Sequence, residues 1–351
     1  ANVGGPIKKD KLWYFGSVRS WVSATRTPGW PVENPGAGPD FLTRLQNVTY
    51  KLTYQLNANN KLTHFAQFAR KNQPYRGASS TVSLDSVFEQ ENYYWVGKVE
   101  LNRIVSPTFF FDARLGTFGY HWLNFAYGGD LERSTSLRNR MTDQFTGTTA
   151  GGYNAYSRDP RRYQAEVVGN LYRNNWVLGD HTLKFGYIWE GYSDRLKYTG
   201  FLDSVRLVFR STNGIDFSMP FRVDLYNYPN KFIDQASHHG LFVQDQIRVG
   251  PRVTINAGLR WDYYDAFEPE QDVREAPFRD FFYAGVPLTT SAGPFSLQRT
   301  PFADTWKVPA SGKLIQYKKA FAPRLGVAWD LRGDGRSVIK ANWGRYYSSP
   351  S

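Results

Sequence analysis

The sequence predicts an all-β fold, because strict alternation of apolar and polar residues recurs along it. In the segment 252–262 every odd-numbered residue is apolar and every even-numbered residue is polar or glycine. The same alternation is found in the segments 47–56, 108–116, 182–190, 321–332 and 337–343. A period of two gives a strand one apolar and one polar face, and no segment keeps a helical period for long.

The composition supports this fold class and excludes several others. Aromatic residues make up 17% of the 351 residues, which suits pleated, half-buried strands. There is no cysteine, so disulfide scaffolds and thiolate metal sites are excluded. No window holds the uninterrupted run of about 18 apolar residues that a membrane helix needs. The net charge is +12, but the basic residues are scattered, so we expect no nucleic-acid partner.

The alternating segments indicate about eleven strands, and the connections between them alternate in length. The predicted strands are 12–24, 45–56, 61–70, 92–103, 108–119, 162–174, 181–192, 237–248, 252–264, 320–332 and 336–347. Every second connection is short, with turn residues such as Gly, Asn, Asp and Pro. The long connections between them are 25–44, 71–91, 120–161, 193–236 and 265–319.

This asymmetry favours a membrane barrel over a soluble sandwich. A soluble sheet has no reason to collect every long loop at one end, whereas outer-membrane barrels have short periplasmic turns and long extracellular loops. The strands are also long enough to cross a bilayer at a tilt. Trp189, Trp261, Trp329 and Trp343 lie near strand ends, where an interfacial girdle is expected. We therefore predict a transmembrane antiparallel up-and-down β-barrel segment whose apolar face meets lipid.

The strand count predicts that the barrel continues beyond this chain. Bacterial barrels close with an even number of strands, whereas about eleven are indicated here. Large plugged transporters have about 22 strands, so the expected segment is half of such a barrel. We expect the remaining strands to follow residue 351.

Four segments of the chain are informative as a set: GGPIKKDKLWYFGS (4–17), GDHTLKFGYIWE (179–190), LFVQDQIRVGPRVTINAGLRWDYYD (241–265) and FAPRLGVAWDLRGDGRSVIKANWGRYY (321–347). In this order they resemble TonB-dependent outer-membrane receptors, in the Oar-like branch that carries a carboxypeptidase-regulatory-like domain. The resemblance implies that residues 1–11 are the end of a plug domain leading into the barrel. It also implies that residues 12–351 are a partial receptor barrel, and that the protein lies in the bacterial outer membrane.

What the resemblance implies about function is uptake of a large or scarce solute, with TonB acting on the plug. It implies no enzyme activity and no cofactor, and it leaves the solute unknown. The plug, the TonB box and the second half of the barrel are expected to lie outside these residues. Two alternatives remain open: a non-transporting outer-membrane barrel with a structural or adhesive role, and a soluble β-rich carbohydrate binder or hydrolase.

Charged residues of both signs lie on the polar faces of the predicted strands. We interpret them as mixed charge pairs lining a wet lumen rather than as an acid–base catalytic pair. They are Lys98, Glu100, Asp112, Arg114, Lys184, Glu190, Arg260, Asp262, Arg324 and Lys340. His238 and His239 point to opposite faces of a strand, so no metal site is expected, and His238 is predicted to be a solvated strand start.

The long connection 120–161 mixes aromatic residues, glycine and arginine, as adaptable binding loops do. Its alternative role is to shield the barrel mouth. The arginines would attract an anionic solute or the phosphates of lipopolysaccharide. Lipopolysaccharide and membrane lipid are expected partners of the barrel. The candidate ligand contacts are Trp122, Tyr127, Arg133, Arg138, Arg140, Tyr153, Tyr156 and Arg158.

Overall fold

The structure, a computed structural model, describes most of the chain as β-strands. The described residues are 1–31, 34–80, 84, 87–126, 140–142, 156–198, 205–209, 220–225, 230–272, 287–290, 293–296 and 307–347. Within these ranges, no helix is long and apolar enough to cross a bilayer.

The strands are, in chain order, β1 (Asn2–Lys8), β2 (Leu12–Thr25), β3 (Phe41–Asn57), β4 (Asn60–Arg76), β5 (Phe88–Ser106), β6 (Phe109–Ala126), β7 (Arg140–Thr142), β8 (Tyr156–Arg158), β9 (Arg161–Trp176), β10 (Gly179–Tyr198), β11 (Val205–Phe209), β12 (Pro220–Leu225), β13 (Asn230–Val249), β14 (Val253–Glu268), β15 (Gln271–Asp272), β16 (Pro287–Thr290), β17 (Gly293–Ser296), β18 (Lys307–Val308), β19 (Gly312–Asp330) and β20 (Val338–Gly344).

Thirteen of the described strands form one sheet. Strands β1 to β6 pair in sequence order, and β10, β13, β14, β19 and β20 continue the same up-and-down antiparallel order. Both β8 and β9 pair with β6 on one side and β10 on the other, so they form one interrupted strand. The strands left out of this sheet, β7, β11, β12 and β15 to β18, all lie in the long connections.

The two ends of the sheet differ as the sequence predicts. At one end the strands are joined by short turns, such as residues 58–59 between β3 and β4 and residues 177–178 between β9 and β10. At the other end lie the connections 26–40, 77–87, 127–155, 199–229 and 269–311. We call these the short-turn end and the long-loop end.

The register gives the sheet one apolar and one polar face. Across β13, β14 and β19, Leu241 lies opposite Trp261, which lies opposite Phe321. One step toward the short-turn end, Val243 lies opposite Leu259. Leu241, Leu259 and Phe321 are 48%, 45% and 49% exposed, although they lie in the middle of a wide sheet. A soluble protein would bury such a face, so this is the lipid-facing side of a barrel wall.

The predicted barrel segment is confirmed, but the strand count and the strand ends need correction. The sheet is twelve strands wide rather than eleven, because residues 2–8 pair with β2. Sequence analysis missed this strand because two glycines and a proline interrupt its alternation. Several strands also extend further toward the long-loop end, as β5 does from residue 88 and β19 from residue 312. Backbone pairing continues there after the alternation has stopped.

The predicted aromatic girdle is found only in part. Trp329 lies opposite Val253 beside the short turns, as predicted. Trp189 and Trp261 lie near the middle of β10 and β14, and Trp343 lies opposite Leu325, further inside the apolar band. Among the described residues, β1 pairs only with β2 and β20 only with β19, so both edges of the sheet are open.

Candidate functional site in the lumen-facing wall

The polar face carries the predicted mixed charge pairs. On β5 and β6, the Lys98 ammonium lies 2.8 Å from Glu100, and the Arg114 guanidinium lies 3.6 Å from the same carboxylate. Arg114 also donates a 3.0 Å hydrogen bond to Glu166 of β9. A pleated strand alternates its faces, so these residues share the side opposite the lipid-facing one. The predicted mixed charge pairs are thus present on this face, which is the lumen side in a barrel wall.

A second network joins β9, β10, β13 and β14. Arg162 donates a 2.7 Å hydrogen bond to Glu190. The His238 ring lies between two carboxylates, with Nδ1 3.2 Å from Glu190 and Nε2 2.7 Å from Asp262. Arg260 donates to both oxygens of Asp262, which is buried. The prediction of a solvated strand start at His238 is wrong, because β13 begins at residue 230 and places this ring well inside the sheet.

This network does not form a metal site. The two carboxylates contact opposite nitrogens of the His238 ring and therefore cannot converge on one ion. Within the described part of the chain, no group of three His, Asp or Glu side chains could hold a metal. His239 points the other way, as predicted, and its Nδ1 lies 2.8 Å from the Tyr187 hydroxyl on the lipid-facing side.

A third network lies closer to the long-loop end. Arg158 of β8 donates a 2.7 Å hydrogen bond from Nε to Asp194 Oδ2, and its Nη2 lies 2.5 Å from the same oxygen. The Tyr192 hydroxyl donates to this oxygen at 3.0 Å. The Asp194 side chain is 5% exposed, and its second oxygen, Oδ1, is buried without a hydrogen-bond partner.

Aromatic rings form a ladder on the same face. Phe118, Tyr120 and Trp122 alternate along β6, with ring centres 6.2 Å apart for the first pair and 6.3 Å for the second. Tyr94 of β5 lies across from Tyr120 at 5.6 Å. The Trp122 indole donates a 2.9 Å hydrogen bond to Asn124, one position closer to the loop. This ladder therefore runs from the long-loop end into the wall.

The ladder ends at a cavity of about 370 Å³. Ala236 and Ala266 lie together on its wall, because they are opposite each other in the β13–β14 register. The side chains around them are Phe118, Arg162, Glu190, Tyr192, His238, Tyr264 and Ile315. The cavity thus combines aromatic rings with the paired charges of the second network.

Two of the predicted ligand contacts, Trp122 and Arg158, are brought together here. They lie opposite each other in the β6–β8 register. Arg140 and Tyr156 lie in β7 and β8, where only their backbone is described. The predicted contacts Tyr127, Arg133, Arg138 and Tyr153 lie outside the described residues.

Sequence analysis missed the strand residues of this site. Tyr192 and Tyr264 lie within predicted strands, whereas the candidate contacts were sought in the connection 120–161; Tyr120 begins that connection but was not chosen. The signal that would have found them is an aromatic residue in the polar register of an alternating strand. Tyr264 occupies such a position, since it continues the polar series Arg260 and Asp262.

A wall with one lipid-facing side, one charged side and all long loops at one end defines a bacterial outer-membrane β-barrel. Residues 32–351 match the family described as outer membrane beta barrel domain, and the chain belongs to that family. No protein of curated function matches the sequence.

Solved structures with the same fold are outer-membrane receptors and transporters. The chain matches the receptor FpvA of Pseudomonas aeruginosa bound to heterologous pyoverdines, with 11% identity and a TM-score of 0.56, over 97% of this chain and 39% of that one. It also matches the outer membrane transporter YddB from Escherichia coli, with 12% identity and a TM-score of 0.57, over 98% of this chain and 45% of that one. A third match is the ferric yersiniabactin uptake receptor FyuA from Yersinia pestis, with 11% identity and a TM-score of 0.55, over 94% of this chain and 42% of that one.

These matches confirm the predicted resemblance at the level of the fold. The chain spans less than half the length of each of the three proteins. The Oar-like branch stays a prediction.

Proposed function

We propose that this chain is part of the barrel wall of a TonB-dependent receptor that takes up a large or scarce solute. The observation that carries the proposal is the lumen-facing wall, where paired charges and aromatic rings surround a cavity below the long loops. Barrel interiors are polar in general, so the feature that favours a ligand site over a structural wall is the combination of aromatic rings and paired charges around one cavity. Ligand sites of this kind combine apolar surface with a few convergent polar groups.

The open edges support the assignment to a larger barrel. Unpaired backbone N–H and C=O groups in hydrocarbon cost several kcal/mol each, so a spanning sheet must close. Among the described residues, β1 and β20 each lack a partner on one side. We therefore propose that further strands close the barrel and that β1, which was expected to be the end of a plug domain, is itself a strand of the wall.

The proposal does not transfer the neighbours' ligands to this chain. Pyoverdine and ferric yersiniabactin are named for receptors that share 11% of their residues with it. At such identity a shared fold does not imply a shared ligand site.

The test is uptake by the full-length protein in an outer membrane with and without TonB. Four labelled probes would be compared: a ferric chelate, cobalamin, a neutral oligosaccharide and a peptide. We expect one probe to accumulate only when both the receptor and TonB are present. The control is the amount of folded receptor at the surface, which should not change when TonB is deleted.

The alternative of a structural or adhesive barrel gives the opposite result. If no probe accumulates although folded receptor is present at the surface, the uptake proposal fails. Accumulation that is independent of TonB would assign a passive channel and contradict the energy-coupled part of the proposal.

A further inference from the structure

We infer that the lumen-facing wall carries a binding track for a neutral oligosaccharide, running from Trp122 to the cavity beside Tyr264. The inference rests on the proposed uptake function and names the class of solute for it. Three features of the wall support it: a continuous ladder of rings, charges that are already neutralised, and a buried oxygen acceptor without a partner.

The first feature is the ladder of rings on a wet face. Phe118 and Tyr192 are 43% and 39% exposed, and both line the cavity. Exposed apolar ring faces gain free energy when a ligand covers them and releases water. A sugar ring presents flat patches of C–H groups that can lie on an aromatic face without any charge. Successive rings along β6 would hold successive sugar units.

The second feature is the neutrality of the wall. Arg161 and Arg162 line the cavity, and Arg158 lies opposite Trp122 of the ladder. Each of these guanidinium groups is paired with a carboxylate, and the partners are Asp159, Glu190 and Asp194. An anionic metal chelate is attracted by unpaired positive charge. Here an anion would have to compete with carboxylates that already neutralise these cations. The surroundings of the cavity and the ladder therefore favour an uncharged solute.

The third feature is the unused oxygen of Asp194. Oδ2 of this carboxylate accepts from Arg158 and Tyr192, whereas Oδ1 is buried without a partner. A buried acceptor without a donor is unfavourable, and a carboxylate forms strong charge-assisted hydrogen bonds. Gln90 Oε1 and Asn92 Oδ1, further toward the long-loop end, are also buried acceptors without partners. A sugar supplies hydroxyl donors beside its C–H faces, so one ligand satisfies both the rings and these acceptors.

The experiment is a titration of the purified full-length receptor in detergent micelles. The probes are neutral glucan, xylan and mannan hexasaccharides, the corresponding monosaccharides, an anionic ferric catecholate chelate and a neutral hexapeptide. We expect saturable binding of at least one hexasaccharide, tighter than its monosaccharide, and no saturable binding of the chelate.

Variants then locate the binding. Tyr120→Ala and Trp122→Ala should each weaken oligosaccharide binding about tenfold, since aromatic contacts commonly dominate binding energy. Asp194→Asn should weaken it as well. The matched control is Tyr93→Ala, because Tyr93 neighbours Tyr94 in β5 but faces the lipid side, and it should leave the affinity unchanged.

The outcomes separate this inference from the proposed function. Binding of the chelate or the peptide without binding of any hexasaccharide overturns the inference, as does binding of no probe at all. In either case, TonB-dependent uptake of some other solute would leave the proposed function standing. Oligosaccharide binding without uptake would support the track and overturn the uptake function. If a variant does not fold, the selectivity of the natural receptor among the probes still decides.

Discussion

The rings of His238 and Tyr264 are stacked across neighbouring strands, with centres 4.4 Å apart and planes within 6° of each other. The two residues lie directly opposite each other in the β13–β14 register. Stacking on the phenol ring fixes the orientation of the imidazole, so that each of its nitrogens meets a carboxylate. The aromatic and the charged side chains of the lumen-facing wall are thus joined through His238 in one network of contacts.

Removing the central carboxylate of this network should destabilise the barrel. Asp262→Ala leaves Arg260 and His238 without the acceptor that they share, and Asp262 is only 4% exposed. We expect a loss of about 3 kcal/mol in the free energy of unfolding, as when one partner of a buried pair is deleted. Denaturant unfolding of the full-length receptor in micelles measures it. Asp234→Ala, an exposed position on β13, is the control, and equal effects of both variants would contradict the prediction.

A charge on the lipid-facing side should interfere with membrane insertion. Leu259→Arg places a guanidinium on the apolar face, at a cost of about 2–4 kcal/mol near the middle of the bilayer. Asn256→Arg, three residues earlier in β14, places the same group on the polar face and should be tolerated. Both variants are run on a gel in detergent without heating, and the fraction of receptor that stays folded is compared between them. Equal folded fractions would show that the face of Leu259 does not meet lipid.

Gly119 is required by the close approach of an indole ring. A Cβ at this position would lie 2.2 Å from an atom of the Trp95 side chain, which faces it across β5 and β6. Gly119→Ala should displace this ring and cost about 1–3 kcal/mol, as overpacking does. Tryptophan fluorescence and thermal unfolding report the two effects. Gly116→Ala on the same strand, where a Cβ meets nothing closer than 3.8 Å, should have little effect.

The turn between β19 and β20 should loosen in acid. Asp330 ends β19, and its carboxylate accepts hydrogen bonds from the backbone N–H groups of Gly335, Gly333 and Arg332 at 2.8, 2.9 and 3.2 Å. These bonds, that from Gly335 above all, lower the pKa of Asp330 below its usual value. A carboxyl with a lowered pKa stabilises the folded state above its unfolded pKa of about 4 and loses this contribution as the pH falls through the folded value.

Hydrogen exchange tests the prediction for this turn. At pH 3 the amides of β20 should be less protected than at pH 7, after the intrinsic effect of pH on the exchange rate has been corrected for. Asp330→Ala should show the faster exchange already at neutral pH. If exchange in Asp330→Ala equals that of the natural receptor at pH 7, the carboxylate does not hold the turn.

Much of the fold could be predicted from local patterns. The alternation in 252–262 and 321–332 was sufficient to predict strands with one apolar and one polar face, and both segments lie in β14 and β19. The lengths of the connections predicted which end carries the loops. The strand β1 could not be predicted, because its glycines and proline carry no alternation, and only its backbone pairing with β2 defines it.

The candidate site was only partly predictable. Trp122 and Arg158 were found because they flank a long loop rich in aromatic residues and arginine. Asp194 and Tyr192 were not, since nothing in their local sequence relates them to Arg158. They meet only because β8 and β10 are neighbours in the sheet.

By itself, the sequence determined which residues of the alternating strands face lipid and which face the lumen, since that choice depends only on a period of two within one segment. The tertiary structure decided which lumen residues are neighbours, because register between strands is set by backbone hydrogen bonds that join distant segments. Glu190 thus lies beside His238, 48 residues away, and the cavity that both residues line exists only in the assembled wall.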